Sequence, residues 1–106
     1  MKKAYKNKYR AQPVVTEEGR FASKKEYADW CALKLKEKLG HISRLERQVS
    51  FDLTVNGQLI TRYIADAVFF EGNKRIVADS KGVLTPEFKI KARLMRAIYN
   101  IEVEIL

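Results

Sequence analysis

Residues 63–82 read YIADAVFFEGNKRIVADSKG, from Tyr63 to Gly82. Two apolar runs flank Gly72-Asn73, a dipeptide suited to a tight hairpin turn. The first run, from Gln58 to Phe70, is apolar on both sides. Ile60, Ile64 and Val68 share one face, and Leu59, Tyr63, Ala65, Ala67 and Phe69 share the other. This pattern predicts a central strand covered on both faces. The second run, Arg75 to Lys81, is its hairpin partner. Each strand nevertheless carries an acid, Asp66 and Asp79, and the second adds Lys81. If Gly72 and Asn73 form the turn, Glu71 pairs with Lys74, and counting back along both strands sets Asp66 directly opposite Asp79. Opposed side chains have Cβ atoms about 4.5–5.5 Å apart, so two carboxylates there repel unless something neutralises them. Lys81 lies two residues past Asp79 and so projects from the same face, about 7 Å along the strand.

Upstream, Leu45, Val49, Phe51, Leu53 and Val55 alternate with polar residues as in a half-buried strand. Asn56-Gly57 joins it to the central strand by a second hairpin. Counting from that turn sets Arg47 opposite Asp66. Before it, Ser23-Lys24-Lys25-Glu26 is a capping box that opens a helix. Tyr27, Trp30, Cys31, Leu35 and Leu39 form its expected apolar face, and Gly40 ends it, which gives His41 a place in the C-terminal cap. Downstream, Thr85-Pro86 starts a second helix. Phe88, Leu94, Met95 and Ile98 supply its apolar side, with Lys89, Arg93 and Arg96 on another face. After Asn100, residues Ile101, Val103 and Ile105 alternate in a last strand. The helix between the third and fourth strands is long enough for a crossover between parallel neighbours. The expected order is α-β-β-β-α-β, an α/β (α+β) fold with a mixed four-stranded sheet flanked by helices. It forms a single domain over residues 13–106, preceded by a basic arm over residues 1–12.

The composition narrows the classes of function. The chain has 106 residues, 32% of them charged, and a formal net charge of +8, which predicts a polyanionic partner. The arm, MKKAYKNKYRAQ, holds Lys2, Lys3, Lys6, Lys8 and Arg10. Such an arm is solvated on its own and can track phosphates. No apolar run approaches the length needed to span a bilayer, and no helix combines a basic face with a broad exposed apolar face, so no membrane partner is expected. Residues Met1 to Arg10 lack the apolar core of a secretory leader. A single cysteine, Cys31, makes no internal disulfide and suits a reducing, intracellular setting as a buried small hydrophobe. A single histidine, His41, excludes paired-histidine zinc chemistry.

Two readings of the acids stand on spacing alone. Oxygen-rich pairs suit a hard divalent cation such as Mg²⁺, with a nearby lysine able to hydrogen-bond a water or a phosphate oxygen. Alternatively, Arg47 and Lys81 neutralise the two aspartates in a structural ion network. Glu26 is a helix-cap residue first, and a ligand only if the helix start faces the strands.

An acid on one strand followed by Asp79-Ser80-Lys81 on the next, in this element order, resembles the PD-(D/E)XK nuclease superfamily, with its restriction-endonuclease-like core. The resemblance runs from Phe21 to Val103. It is closest to a small phage-encoded, nuclease-like group of unknown function that shares a KY start, an F-x-SKKE helix opening, a YIADF-like strand, a D-x-KG strand and a TPEFK helix start. This chain shows Lys8-Tyr9, FASKKE from Phe21, YIADA from Tyr63, ADSKG from Ala78 and TPEFK from Thr85. Ala67 stands where that group has a bulkier residue. The resemblance implies Asp66, Asp79 and the Ser80 backbone carbonyl as metal ligands, Lys81 as the catalytic lysine, and Glu26 as the carboxylate that completes the site.

The resulting expectation is a Mg²⁺- or Mn²⁺-dependent DNA endonuclease, acting in phage DNA processing in the cytoplasm of a bacterial host. Lys6, Lys8, Arg10, Lys89, Arg93 and Arg96 would hold the flanking backbone. The residues that act on phosphates read no sequence, so branched or four-way junction DNA is the expected preference, cut by a homodimer; RNA stays open as a substrate. The alternative is a catalytically inert module of the same fold that docks on DNA or protein.

Overall fold

The computed structural model describes residues 12–106. Their elements are β1 (Val14–Thr16), β2 (Gly19–Phe21), α1 (Lys24–Lys38), β3 (Ser43–Val55), β4 (Gln58–Glu71), β5 (Lys74–Asp79), α2 (Pro86–Tyr99) and β6 (Glu104–Ile105). From α1 onward the order is the expected α-β-β-β-α-β. The four-stranded sheet runs β3-β4-β5-β6, antiparallel except for the parallel β5–β6 pair. Ahead of it, β1 and β2 form a small separate hairpin, an addition to the expected order. The arm residues Lys6, Lys8 and Arg10 lie outside the described residues.

The turns form where the backbone permits them. Asn56 and Gly57 both take positive φ, 51° and 77°, the conformation of the tightest two-residue hairpin. Gly72 takes φ 63° at the second turn. Both helices start as their cap residues dictate. The Ser23 hydroxyl accepts from the Glu26 amide at 3.1 Å, and the Thr85 hydroxyl from the Phe88 amide at 3.2 Å. At the end of α1, Gly40 donates to Glu37 O and His41 to Lys36 O, so His41 closes the C-terminal cap as anticipated.

Two apolar clusters lie across the sheet. One gathers Phe51, Leu53, Tyr63, Ala65, Val68 and Val77 with Phe88 and Met95 of α2. The other gathers Ile42, Ala67, Phe69, Ile76 and Ala78 with Leu33 of α1. Three expectations are corrected here. On α1 the inward residues are Glu26 and Leu33, with Trp30 half-buried, whereas Cys31, Leu35 and Leu39 are exposed. The apolar residues of α1 are spread around its circumference, so periodicity alone does not single out the packed face. On β4, Leu59, Ile60 and Ile64 are exposed, because β5 is six residues long and pairs only with residues 67–71. The last strand is two residues long, and Ile101 and Val103 pack against the α2 cluster from the loop before it.

Candidate functional site

The β4–β5 ladder keeps the register counted from its turn as far as Ala67 opposite Ala78. One step further, at the ends of the pairing, stand Asp66 and Asp79. Here the backbone changes partners. The Ser80 amide donates to Asp66 Oδ2 at 2.9 Å instead of to a strand carbonyl, and Asp79 turns to β6, opposite Ile105. The two acids thus stand where the β4–β5 ladder ends, while β4 itself runs on against β3.

Asp79 is 1% exposed. Its Oδ2 accepts a hydrogen bond from the Tyr63 hydroxyl, while its Oδ1 has no hydrogen-bond partner among the described residues. Lys81 Nζ is 3.4 Å from that oxygen and 5.0 Å from the Phe88 ring centroid. Burial, together with the Asp79 hydrogen bond and charge, pushes the Tyr63 hydroxyl far above the ordinary phenol range, so Tyr63 serves as a fixed donor. Burial also pushes Asp66 up to about 8, aided by the neighbouring Asp79 carboxyl and by the charge of Glu26, and opposed by the Ser80 amide. Asp66 therefore favours its protonated form at neutral pH in the ion-free protein.

Glu26 is buried at the start of α1. It caps the helix one residue earlier than the box pattern implies, with Oε1 accepting from the Ala22 amide at 3.1 Å. Its Oε2 lies 3.5 Å from Gln48 Nε2 and 3.7 Å from Arg47 Nη2. Glu26 is thus a cap, and it also faces the strands.

Arg47 is not opposite Asp66. An extra residue in β4 shifts the β3–β4 register between Leu53–Thr61 and Thr54–Leu59, so Arg47 sits opposite Ala67. Its guanidinium stacks on Phe21, 3.7 Å from the ring centroid, and donates to Arg20 O. Among the described residues no cation pairs with Asp66. The shift brings up Gln48 instead, whose Nε2 is 3.5 Å from Asp66 Oδ1. Behind the site, the Ser80 hydroxyl donates to Asp29, which also pairs with Lys25 at 2.7 Å. Burial alone would raise Asp29, yet these two hydrogen bonds hold its carboxyl below the usual range.

Two clefts meet at Lys81 and Thr85. The larger, about 650 Å³, is lined by Arg20, Lys25, Glu26, Gln48, Asp66 and Ser80 among others. The smaller, about 290 Å³, is lined by Arg62, Tyr63, Asp79 and Lys91 among others. Asp66 opens into the first and Asp79 into the second. Among the described residues no three carboxylate, imidazole or thiol groups converge on one point. Lys89, Arg93 and Arg96 lie exposed on α2 and line neither cleft, and Arg96 is paired with Glu102 at 2.6 Å.

Of the residues expected from the sequence, the fold brings Glu26, Asp66, Asp79, Ser80 and Lys81 around the end of the β4–β5 ladder. Sequence reasoning misses Gln48, Tyr63 and Asp29 as site residues. Asp29 had a legible signal, one helical turn after Glu26 on the same face. Tyr63 had none, since three residues along a strand would turn it to the face opposite Asp66. Gln48 had none without knowledge of the bulge. No helix of the described residues is long and apolar enough to cross a membrane. Comparison with curated proteins gives no match, and comparison with solved structures gives none. One family model matches residues 6–105, and on that match the chain belongs to the family described as "Protein of unknown function (DUF1064)".

Proposed function

We propose that this protein is a divalent-cation-dependent nuclease that hydrolyses phosphodiester bonds in DNA, in keeping with the resemblance of Asp66 and Asp79-Ser80-Lys81 to the PD-(D/E)XK pattern. One observation carries the reading: the buried Asp79 Oδ1 has no hydrogen-bond partner among the described residues, beside a second acid and 3.4 Å from Lys81 Nζ. A buried carboxylate oxygen without a hydrogen bond is costly; here it has the Lys81 ammonium for a counter-charge and the smaller cleft beside it. The donor set is all oxygen and net negative, which fits a hard cation. Asp66 and Asp79 would hold Mg²⁺ or Mn²⁺, with Glu26 and the Ser80 carbonyl as further oxygen donors. When bound, such an ion supplies charge stabilisation at the scissile phosphate and lowers the pKa of water.

The chain's own groups have defined parts in this reading. Tyr63 holds Asp79 in one orientation through its hydroxyl, and the Ser80 amide does the same for Asp66. Lys25 and Asp29 brace the Ser80 side chain. Lys81, common to both clefts, orients the attacking water and stabilises a phosphate oxygen. Arg20 and Lys25 in the larger cleft, and Arg62 and Lys91 in the smaller, neutralise flanking phosphates. These contacts read no sequence, which favours branched DNA and cleavage by a homodimer.

The inert docking module remains the second reading, favoured by a specific observation. Asp66 and Asp79 face different clefts, and Glu26 is already engaged by Ala22. Linear, nicked, flapped and four-way DNA, each with Mg²⁺, Mn²⁺ or Ca²⁺, separate the two. Cleavage in Mg²⁺ or Mn²⁺ that is lost in Lys81→Ala, with binding retained in Ca²⁺, supports the nuclease. Binding without cleavage in every ion supports the module.

A further inference from the structure

Gln48 departs from its strand. Its φ is 59°, in the left-handed region that non-glycine residues rarely occupy and that concentrates at functional sites. Arg47 and Val49 on either side hold their partners Ala67 and Ala65. The pairing keeps its count across Gln48 while the strands change face, because Val49 and Ala65 pack in the α2 cluster whereas Ala67 packs in the α1 cluster and Arg47 on Phe21. At that point the carboxamide reaches into the larger cleft, with Nε2 3.5 Å from Asp66 Oδ1 and 3.5 Å from Glu26 Oε2. An amide nitrogen offers two protons and so can serve both carboxylates. At 3.5 Å these contacts are long, as expected of a group that bridges two acids without closing on either.

We propose that Gln48 is a positioning residue for the cation site, its left-handed backbone serving to hold a carboxamide between Glu26 of α1 and Asp66 of β4. This inference rests on the cation-dependent reading above. In the ion-free protein the amide nitrogen offers its protons to both carboxyl groups. With the site loaded, the same side chain keeps Glu26 and Asp66 at a common spacing. Groups that orient metal-binding carboxylates typically change metal affinity by about 10–100-fold when removed.

The test is Mn²⁺ binding by calorimetry and thermal denaturation of the metal-free protein, on wild type, Gln48→Gly and Gln48→Glu. Glycine accepts the left-handed backbone without a side chain. Gln48→Gly is therefore expected to keep or raise the metal-free melting temperature while weakening Mn²⁺ about tenfold. Gln48→Glu adds a third acid to the larger cleft, so it is expected to lower the metal-free melting temperature and to tighten Mn²⁺. A residue with a merely structural role would change the melting temperature and leave Mn²⁺ affinity alone. Wild-type affinity in both variants overturns the Gln48 assignment and leaves the cation site standing. Absence of Mn²⁺ binding by wild type overturns both.

Discussion

Burial and the neighbouring Asp79 raise the carboxyl of Asp66 from its ordinary range to about 8, which ties stability to pH with a definite sign. Between roughly pH 4 and pH 8 the folded protein retains a proton that the unfolded chain has lost, so stability falls as pH rises through that window. Metal-free wild type should therefore lose melting temperature from pH 5 to pH 8. Asp66→Asn, which keeps an oxygen for the Ser80 amide, should flatten this dependence and be the more stable protein at pH 8. Mg²⁺ should raise the wild-type melting temperature more at pH 8 than at pH 5. Tyr63 makes a complementary case. Tyr63→Phe removes the only hydrogen-bond donor, among the described residues, to the buried Asp79 carboxylate, so denaturant unfolding should show a loss of about 1–3 kcal/mol. At this scale Asp66, Asp79 and Lys81 are legible in the sequence because Gly72 allows one tight turn and the ladder behind it carries no bulge. Gln48 is not, because its place depends on an extra residue in the neighbouring strand, which leaves no mark in composition or spacing.

The elements place the acids by ending. β5 stops at Asp79 and its pairing with β4 stops at Ala67, so the next residues are free to leave the ladder and face the clefts. The caps of both helices are readable from Ser23 and Thr85, since each supplies a hydroxyl to a backbone amide three residues on. The packed face of α1 is less readable. Its leucines fall on opposite sides, and the decisive contact is made by Leu33 under the sheet, not by Leu35 or Leu39. Thus Leu33→Ala should cost about 2–5 kcal/mol through the cavity it leaves, whereas Leu35→Ala should stay within about 0.5 kcal/mol. Chemical denaturation of the two variants distinguishes the faces. The orientation matters for the site, because burying Leu33 turns Glu26 inward on the same side of α1.

At the scale of the molecule, charge is unevenly used. A chain of net charge +8 keeps an acidic pocket at the end of its β4–β5 ladder and sets Arg20, Lys25, Arg62, Lys81 and Lys91 around it. In the proposed function this arrangement would draw a polyanion toward the acids, and a divalent cation would supply the positive charge they need. The mixed sheet and its order follow from hairpin turns and one crossover length. The convergence of two clefts on Lys81 follows from three-dimensional packing, which no linear pattern reports. The most direct test is the Mg²⁺-dependent cleavage rate of labelled DNA by wild type and by Asp79→Asn, which retains an acceptor for Tyr63. Cleavage by wild type that falls by at least about 10²-fold in the variant, with the fold intact by circular dichroism, is the predicted result. Equal rates in the two proteins, or no cleavage by wild type on any DNA form, would contradict it.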